Sequence, residues 1–386
     1  MRKSTPALTG AAMLAVVLAG GLPLSAQAVP ETSHCGTEPG NNNDAFVNHA
    51  QLTRAVQQLE RTSQGRVDVE VAGQSNQGRD IYVARVGEGD TVVYVQTQIH
   101  GNENHGTEAL LNLLGQMGGN TPEAQELREN ITLVGIPRLN VDGGENDTRQ
   151  NAQSWAEVVE AFPQLAGAEP SWNYRESVPG FDVNRDFNPD LDYVPQPEDF
   201  PGNSADTGWY ITPEAQTSRD VYRGLEQEFG TVDYFVDLHN QWSCYKQEGT
   251  DNMSSLSISG RFIDDPSEFG DWPKFDYDAS RRANVAVYDA LQGQGNSGFG
   301  HLTLYPQDTN LPGTALGSFA LRGSATVLFE TSSQTQYDGQ KRNGYLTKQV
   351  EIGLKGLLVA VADDSIDSVD AEDYEQIPNR VYLPAD

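Results

Sequence analysis

The chain has 386 residues, of which 55 are acidic and 25 basic, so its formal net charge is −30 at pH 7. A surface of this sign repels nucleic acid and anionic membranes, which excludes functions that depend on a basic face. Two cysteines, Cys35 and Cys244, allow one disulfide but exclude a cysteine-rich scaffold, so stability must come from a hydrophobic core.

The amino terminus has the pattern of a secretory signal peptide. Two basic residues at positions 2 and 3 precede an apolar run from Ala11 to Leu24, and the small-residue segment Ser25–Ala28 follows it. The run contains glycine and proline and is shorter than the roughly 20 apolar residues of a membrane span. We therefore predict that residues 1–28 are removed, giving a secreted or periplasmic protein of net charge −32 with no membrane partner.

Hydrophobic periodicity predicts alternating helices and strands along the rest of the chain. Helical spacing marks residues 45–64, the segment after His100 up to Gly118-Gly119, residues 217–228 and residues 345–362, and strands are predicted at 67–72, 80–86, 91–99, 131–136, 234–238 and 325–329. Residues 145–215, rich in Asn, Pro and Asp, are predicted to be long loops. This order predicts an α/β fold, with parallel strands in the sheet and helices on both faces.

Polar residues follow four of these predicted strands. His100, Asn140, His239 and Glu330 each come at or just after the end of a buried strand. Ligands of open α/β sheets bind beyond the carboxyl ends of the strands. The sequence therefore predicts a functional site at that edge of the sheet.

The residue types at this edge suit a metal. In Gln98-Ile-His100-Gly-Asn-Glu103, a histidine and a glutamate lie three residues apart where a strand turns into a helix. His239, at the end of another strand, would complete a set of two histidines and one carboxylate. Three protein ligands with an open fourth position are typical of catalytic zinc. We therefore predict a zinc site at His100, Glu103 and His239.

Five segments in sequence order resemble motifs of the zinc metallocarboxypeptidase family, over most of residues 45–362. They are Gly73-Gln-Ser-Asn-Gln-Gly-Arg79, His100-x-x-Glu103 with His239, Pro137-Arg-Leu-Asn-Val-Asp-Gly143, Gly180-Phe-Asp-Val-Asn-Arg-Asp-Phe187 and Phe329-Glu-Thr331. The resemblance implies residues 29–44 as an N-terminal segment and residues 45–362 as a zinc carboxypeptidase-like catalytic domain, a single-domain open mixed β-sheet flanked by helices. The acidic composition of residues 363–386 predicts a C-terminal extension or a frayed tail.

The resemblance also implies a role for each site residue. Zinc would lower the pKa of a bound water to about 7, and Glu330 would accept that water's proton and pass it to the leaving amine. Arg149 resembles the arginine that stabilises the developing oxyanion. Asn184 and Arg185 would bind the terminal carboxylate of a peptide. Asp182 would accept a hydrogen bond from the far nitrogen of His100.

One expected residue has no counterpart. Family members bring a tyrosine into the site from a loop about twenty residues before the catalytic glutamate, and no tyrosine lies between Pro306 and Phe329. Tyr305 is the nearest, at the end of a predicted strand. The loop 307–323 is mostly apolar or small, which favours an uncharged terminal residue in the substrate.

Three functions remain open from the sequence. The first is a secreted zinc carboxypeptidase that hydrolyses the C-terminal peptide bond of substrates with a free carboxylate. The second is a zinc amidohydrolase of the same fold that acts on acyl-amino acids or cell-wall peptides, favoured by the missing tyrosine. The third is a zinc-binding module without catalysis, which the retention of Glu330, Asn184 and Arg185 argues against. A monomer is compatible with all three.

Overall fold

The structure is a computed structural model, and it describes residues 46–306, 310–333 and 339–383. The predicted signal peptide, the segment 29–44 and Cys35 lie outside the described residues. Cys244 is disulfide-bonded.

Nine α-helices and twelve strands occur in the described residues. The helices are α1 (His49–Thr62), α2 (His105–Met117), α3 (Pro122–Asn130), α4 (Val141–Asn146), α5 (Trp155–Ala161), α6 (Pro213–Phe229), α7 (Tyr277–Gln292), α8 (Ala315–Leu321) and α9 (Gly339–Ala362). The strands are β1 (Val67–Gln74), β2 (Asp80–Val86), β3 (Thr91–Thr97), β4 (Ile131–Ile136), β5 (Tyr174–Arg175), β6 (Gly180–Phe181), β7 (Tyr234–Gln241), β8 (Tyr245–Gln247), β9 (Leu256–Ser259), β10 (Leu302–Leu304), β11 (Ala325–Ser332) and β12 (Arg380–Tyr382).

Eight strands form one mixed sheet in the order β1-β2-β4-β3-β7-β11-β9-β10. The four central strands, β4, β3, β7 and β11, run parallel. The pairs β1–β2, β2–β4 and β9–β11 are antiparallel. The carboxyl ends of the central strands therefore meet at one edge, which confirms the predicted fold class and brings the residues after these strands together.

Alternation along the strands builds a core on each face of the sheet, because successive side chains point to opposite sides. Val93 and Val95 belong to the core under α2, α7 and α9. Val92 and Tyr94 belong to the core under α6 and α8. With both faces covered, the central strands are buried over nearly their whole length.

Helix α6 illustrates how capping residues set the ends of an element. The Thr212 side chain accepts a hydrogen bond from the Ala215 backbone, and Pro213 occupies the first turn. Gly230 ends the helix with φ 85°, a conformation that glycine adopts without strain. The helix thus begins four residues before the predicted start at 217, because apolar spacing marks the packed face and not the cap.

The C-terminal segment differs from the prediction of a fraying extension. Residues 365–368 and 371–376 form 3₁₀ turns, and Arg380–Tyr382 pairs with β8. Ile366, Tyr374 and Ile377 are buried in the core with α7 and α9. Residues 363–383 therefore pack against the body of the protein, and the prediction of fraying is wrong for them.

Within the described residues, no helix is both long and apolar enough to cross a bilayer.

Candidate active site

A tight turn after β3 carries the first two metal-ligand candidates. Gln98 adopts φ 54°, and its side-chain nitrogen donates 2.5 Å hydrogen bonds to the Gly101 carbonyl and to the Asn104 side chain. Its side-chain oxygen accepts from Thr107 and Arg138. All the side-chain hydrogen bonds of Gln98 thus hold the turn that presents His100 and Glu103.

This turn packs closely against α4. A side chain at Gly101 would meet the Gly143 backbone at 2.0 Å, so only glycine fits there. Asn140 caps α4 by accepting from the Gly143 backbone, and its amide donates to the carbonyls of Ile99 and Arg149. Asn140 therefore joins the ligand-bearing turn to the loop that carries Arg149.

The three predicted ligands converge at the edge of the sheet. His100 Nδ1 lies 2.9 Å from Glu103 Oε1, and His239 Nδ1 lies 2.9 Å from Glu103 Oε2. The two Nδ1 atoms are 3.1 Å apart. One ligand atom from each of these buried residues lies within 4.8 Å of the other two, as a single ion requires.

Two buried carboxylates orient the histidine rings. His100 Nε2 lies 3.1 Å from Asp182 Oδ1, the contact predicted for Asp182. His239 Nε2 lies 3.0 Å from Asp237 Oδ2. The Nδ1 atoms of both rings are turned towards Glu103 and therefore towards the same point.

Glu330 lies beside His239, because β11 and β7 pair in parallel with these two residues in register. The Glu330 carboxylate makes no hydrogen bond or ion pair with another described residue. Burial raises the pKa of Glu330 to about 7, even though His239 and His100 act in the opposite direction. A carboxyl group with this pKa can exchange a proton near neutrality.

Arg149 lies against the ligands. Its guanidinium contacts Asp182 at 2.9 Å, His100 Nδ1 at 3.1 Å and Glu103 at 3.4 Å. A positive charge here can stabilise negative charge that develops on a reacting oxygen beside the ligands.

Asn184 and Arg185 lie on a short 3₁₀ turn of residues 183–185 and line the same cleft. The Asn184 amide lies 3.4 Å from His239 Nε2, and its oxygen accepts from the Ala315 backbone. Arg185 donates to the Asn184 carbonyl at 2.6 Å, while its buried Nε lacks a hydrogen-bond partner among the described residues. No described carboxylate forms an ion pair with Arg185.

The cleft has a volume of about 230 Å³ and includes every predicted ligand, Arg149 and Glu330 in its wall. Part of the lining is apolar, with Phe262, Leu311, Leu316 and Leu328. Tyr305, which directly follows β10, also lines the cleft. Burial and the charge of Glu330 raise the pKa of Tyr305, which keeps its phenol protonated.

Comparison with known proteins agrees with this geometry. Residues 52–252 match the model of the zinc carboxypeptidase family. The chain belongs to the zinc carboxypeptidase family. It is therefore a zinc metallocarboxypeptidase, as the sequence predicted.

Solved structures share its fold at low sequence identity. Bovine thrombin-activatable fibrinolysis inhibitor, solved in complex with tick carboxypeptidase inhibitor, has a TM-score of 0.56 at 13% identity, over 83% of this chain and 99% of that chain. Carboxypeptidase A from Helicoverpa armigera has a TM-score of 0.53 at 16% identity, over 83% and 75%. A metallo-carboxypeptidase from Burkholderia cenocepacia has a TM-score of 0.50 at 16% identity, over 82% and 68%.

The side chains at the candidate metal centre suit zinc. Two imidazole nitrogens and a carboxylate are a donor set that zinc prefers, and the open cleft leaves room for a further ligand. Burial lowers the pKa of His239, but the carboxylates of Asp237 and Glu103 outweigh burial and raise it well above its ordinary value. The surroundings of His239 therefore favour a positive charge at this point, as a bound cation would supply.

Sequence reasoning missed several residues that shape this site. Asp237 precedes His239 by two positions, and the period of a strand places both side chains on one face, so the Asp-x-His pattern could have indicated the contact. Gln98 acts through its positive φ and four hydrogen bonds, for which the sequence carries no signal. Arg380 enters the cleft from the C-terminal segment, which the sequence analysis treated as an extension.

Proposed function

We propose that this zinc carboxypeptidase is exported and removes single residues from the free carboxyl end of peptides. The observation that carries the proposal is Arg185. Its guanidinium faces the cleft that holds the metal ligands, without a carboxylate partner among the described residues and with one buried nitrogen unbonded. A guanidinium left without a counter-charge offers a fork of donors for the carboxylate at a peptide end.

The apolar part of the cleft lining adds a preference for the terminal side chain. Leu311, Leu316 and Phe262 would surround that side chain once its carboxylate binds Arg185. Burial of a hydrocarbon group there is favourable, whereas a charged group would lose its hydration without gaining a partner. The proposed substrates therefore end in an uncharged, mainly apolar residue.

The reaction uses the residues that surround the ligands. Zinc held by His100, Glu103 and His239 supplies a Lewis acid that polarises an oxygen and makes water a better nucleophile at neutral pH. Glu330 accepts the proton of the attacking water and later donates it to the departing amine.

Two neighbouring arginines complete the arrangement. Arg149, 3.1 Å from His100 Nδ1, lies where it can stabilise the oxyanion. Arg185 positions the peptide end so that the last amide lies in front of Glu330.

The test is a comparison of two peptides that differ only at the carboxyl end, one free and one amidated. Wild-type enzyme should cleave the free peptide and ignore the amidated one. Arg185→Ala should lower kcat/KM on the free peptide by about 10² or more, because a charge-assisted bidentate contact in a desolvated site is lost. The variant should also lose much of the discrimination between the two peptides.

Zinc content, measured on the same preparations, should be unchanged in Arg185→Ala, which separates a lost substrate contact from misfolding. Equal cleavage of both peptides by the wild type would contradict the exopeptidase. A zinc amidohydrolase acting on acyl-amino acids or cell-wall peptides would then take its place, and mass analysis of products from those substrates would identify it.

A further inference from the structure

The C-terminal segment is fixed at the rim of the cleft by backbone contacts. Strand β12 pairs antiparallel with β8, which places Arg380 opposite Gln247. The Glu248 backbone donates to the Asn379 carbonyl at 2.9 Å, and the Leu304 backbone donates to the Pro378 carbonyl at 2.8 Å. The backbone that carries Arg380 is thus tied to β8 and to β10, the last strand of the main sheet.

The Arg380 guanidinium is held between two aromatic rings. Its central carbon lies 4.3 Å from the centre of the Tyr245 ring and 4.2 Å from that of Tyr305. One guanidinium nitrogen donates to the Gln241 side-chain oxygen at 2.6 Å. Cation–π contacts on both sides and a hydrogen bond hold the group in one orientation without neutralising its charge.

No carboxylate of the described residues forms an ion pair with Arg380. Arg281, for comparison, lies within 3.5 Å of three carboxylates, those of Asp278, Glu372 and Glu375. Arg380 instead lines the cleft that contains Glu330 and the metal ligands. Its charge is therefore available to a molecule that binds in the cleft.

Arg185 and Arg380 have different surroundings within this cleft. Arg185 donates to the Asn184 carbonyl, whereas Arg380 contacts Gln241, Tyr245 and Tyr305. Gln241 follows the ligand His239 by two residues at the end of β7. In the proposed function, Arg185 binds the terminal carboxylate and the apolar part of the lining takes the terminal side chain. The residues left to contact Arg380 are then those before the scissile bond.

We propose that Arg380 is a specificity-determining residue that binds an acidic side chain on the amino-terminal side of the scissile bond. This assignment rests on the proposed exopeptidase function. It adds a second contact with an anionic group of the substrate, beside the contact between Arg185 and the terminal carboxylate. The preferred substrates then carry aspartate or glutamate shortly before an apolar terminal residue. The chain has a net charge of −30, which repels acidic peptides. A guanidinium fixed in the cleft attracts them locally and offsets this repulsion.

The experiment uses blocked peptides that end in leucine and carry Glu or Gln at either of the two positions before the scissile bond. The wild type should prefer Glu over Gln at one of these positions by about tenfold in kcat/KM. Arg380→Gln should bring this ratio to about one. Arg380→Lys should keep part of the preference, because the charge remains while the planar fork is lost.

Arg85→Ala is a matched control, since Arg85 also lies over an aromatic ring, that of Phe229, and pairs with Glu228 away from the cleft. It should leave the ratio unchanged. A second series of peptides carries Glu or Gln at the terminal position. Arg380→Gln should leave the ratio of kcat/KM between these two peptides unchanged.

Equal cleavage of upstream Glu and Gln peptides by an active wild type would overturn the proposal, as would an unchanged ratio in Arg380→Gln. A changed ratio at the terminal position alone would also overturn it. A wild type that cleaves no peptide at a free carboxyl end would instead contradict the proposed function, so the two failures are distinguishable.

Discussion

Glu214 is a fully buried carboxyl group that the sequence analysis did not single out. It lies in the first turn of α6, and one of its oxygens accepts a hydrogen bond from the Asn151 amide at 2.9 Å. Asn151 in turn accepts from the Phe181 backbone, next to Asp182. Burial raises the pKa of Glu214 to about 7. Glu214, which supports the site through Asn151, is therefore uncharged under mildly acidic conditions.

Glu214→Gln should remove part of the pH dependence of stability. A carboxyl group whose pKa rises from 4.5 to about 7 on folding contributes stability that is fully present below pH 4.5 and is lost as the pH rises through 7. The amide of the variant does not titrate, so its free energy of unfolding should fall less between pH 5 and pH 8, by up to about 3 kcal/mol. Denaturant unfolding at several pH values measures this, and parallel pH profiles for the two proteins would contradict it.

At the scale of elements, the C-terminal segment is part of the core and also carries Arg380. Tyr374 is fully buried, and its hydroxyl accepts a hydrogen bond from the Gly260 backbone at 3.3 Å. Arg281 on α7 contacts Glu372 and Glu375 in the same turn. The segment thus fixes the position of Arg380 through packing elsewhere in the chain.

Tyr374→Ala should therefore destabilise the fold by about 3 kcal/mol or more, because a large buried ring is replaced by a cavity. Tyr382→Ala, in the same segment but with a tyrosine that is 51% exposed, is the matched control and should cost less than about 1 kcal/mol. Chemical denaturation of both variants measures the difference. Equal stability of the two would mean that the segment does not contribute to the core.

The elements that could be predicted from sequence are those with a strong period. Strands β2 and β4 and the core parts of β3, β7 and β11 were found because they are apolar runs bounded by polar residues. Helix α3 was missed because it is short and mostly polar, with only Ala124 and Leu127 buried. The C-terminal segment was mistaken for an extension because acidic residues surround its few buried anchors, and long-range packing decides its structure.

The site was more predictable than the fold around it. His100, Glu103, His239 and Glu330 each follow or end a central strand, so the parallel topology alone brings them to one edge. Asp182, Asn184 and Arg185 were found through a motif that resembles the family. The residues that hold this arrangement, Gln98 and Asp237 among them, act through local geometry that only the folded chain reveals.

At the scale of the whole molecule, an acidic protein encloses a cleft with three arginines. Arg149, Arg185 and Arg380 all line it, while the chain as a whole has 55 acidic and 25 basic residues. This distribution favours a substrate that carries negative charge at its reacting end. The central claim of the proposed function is a zinc carboxypeptidase in which Glu330 moves the proton.

The most direct test measures zinc content and kcat together in Glu330→Gln. The variant should hold as much zinc as the wild type while kcat falls by at least about 10²-fold, because an amide cannot accept the proton of water. Glu103→Ala, the control, should lose zinc to a chelator, since two remaining ligands hold the ion weakly. Activity of zinc-loaded Glu330→Gln within about tenfold of wild type would contradict the account, because another group would then be the base.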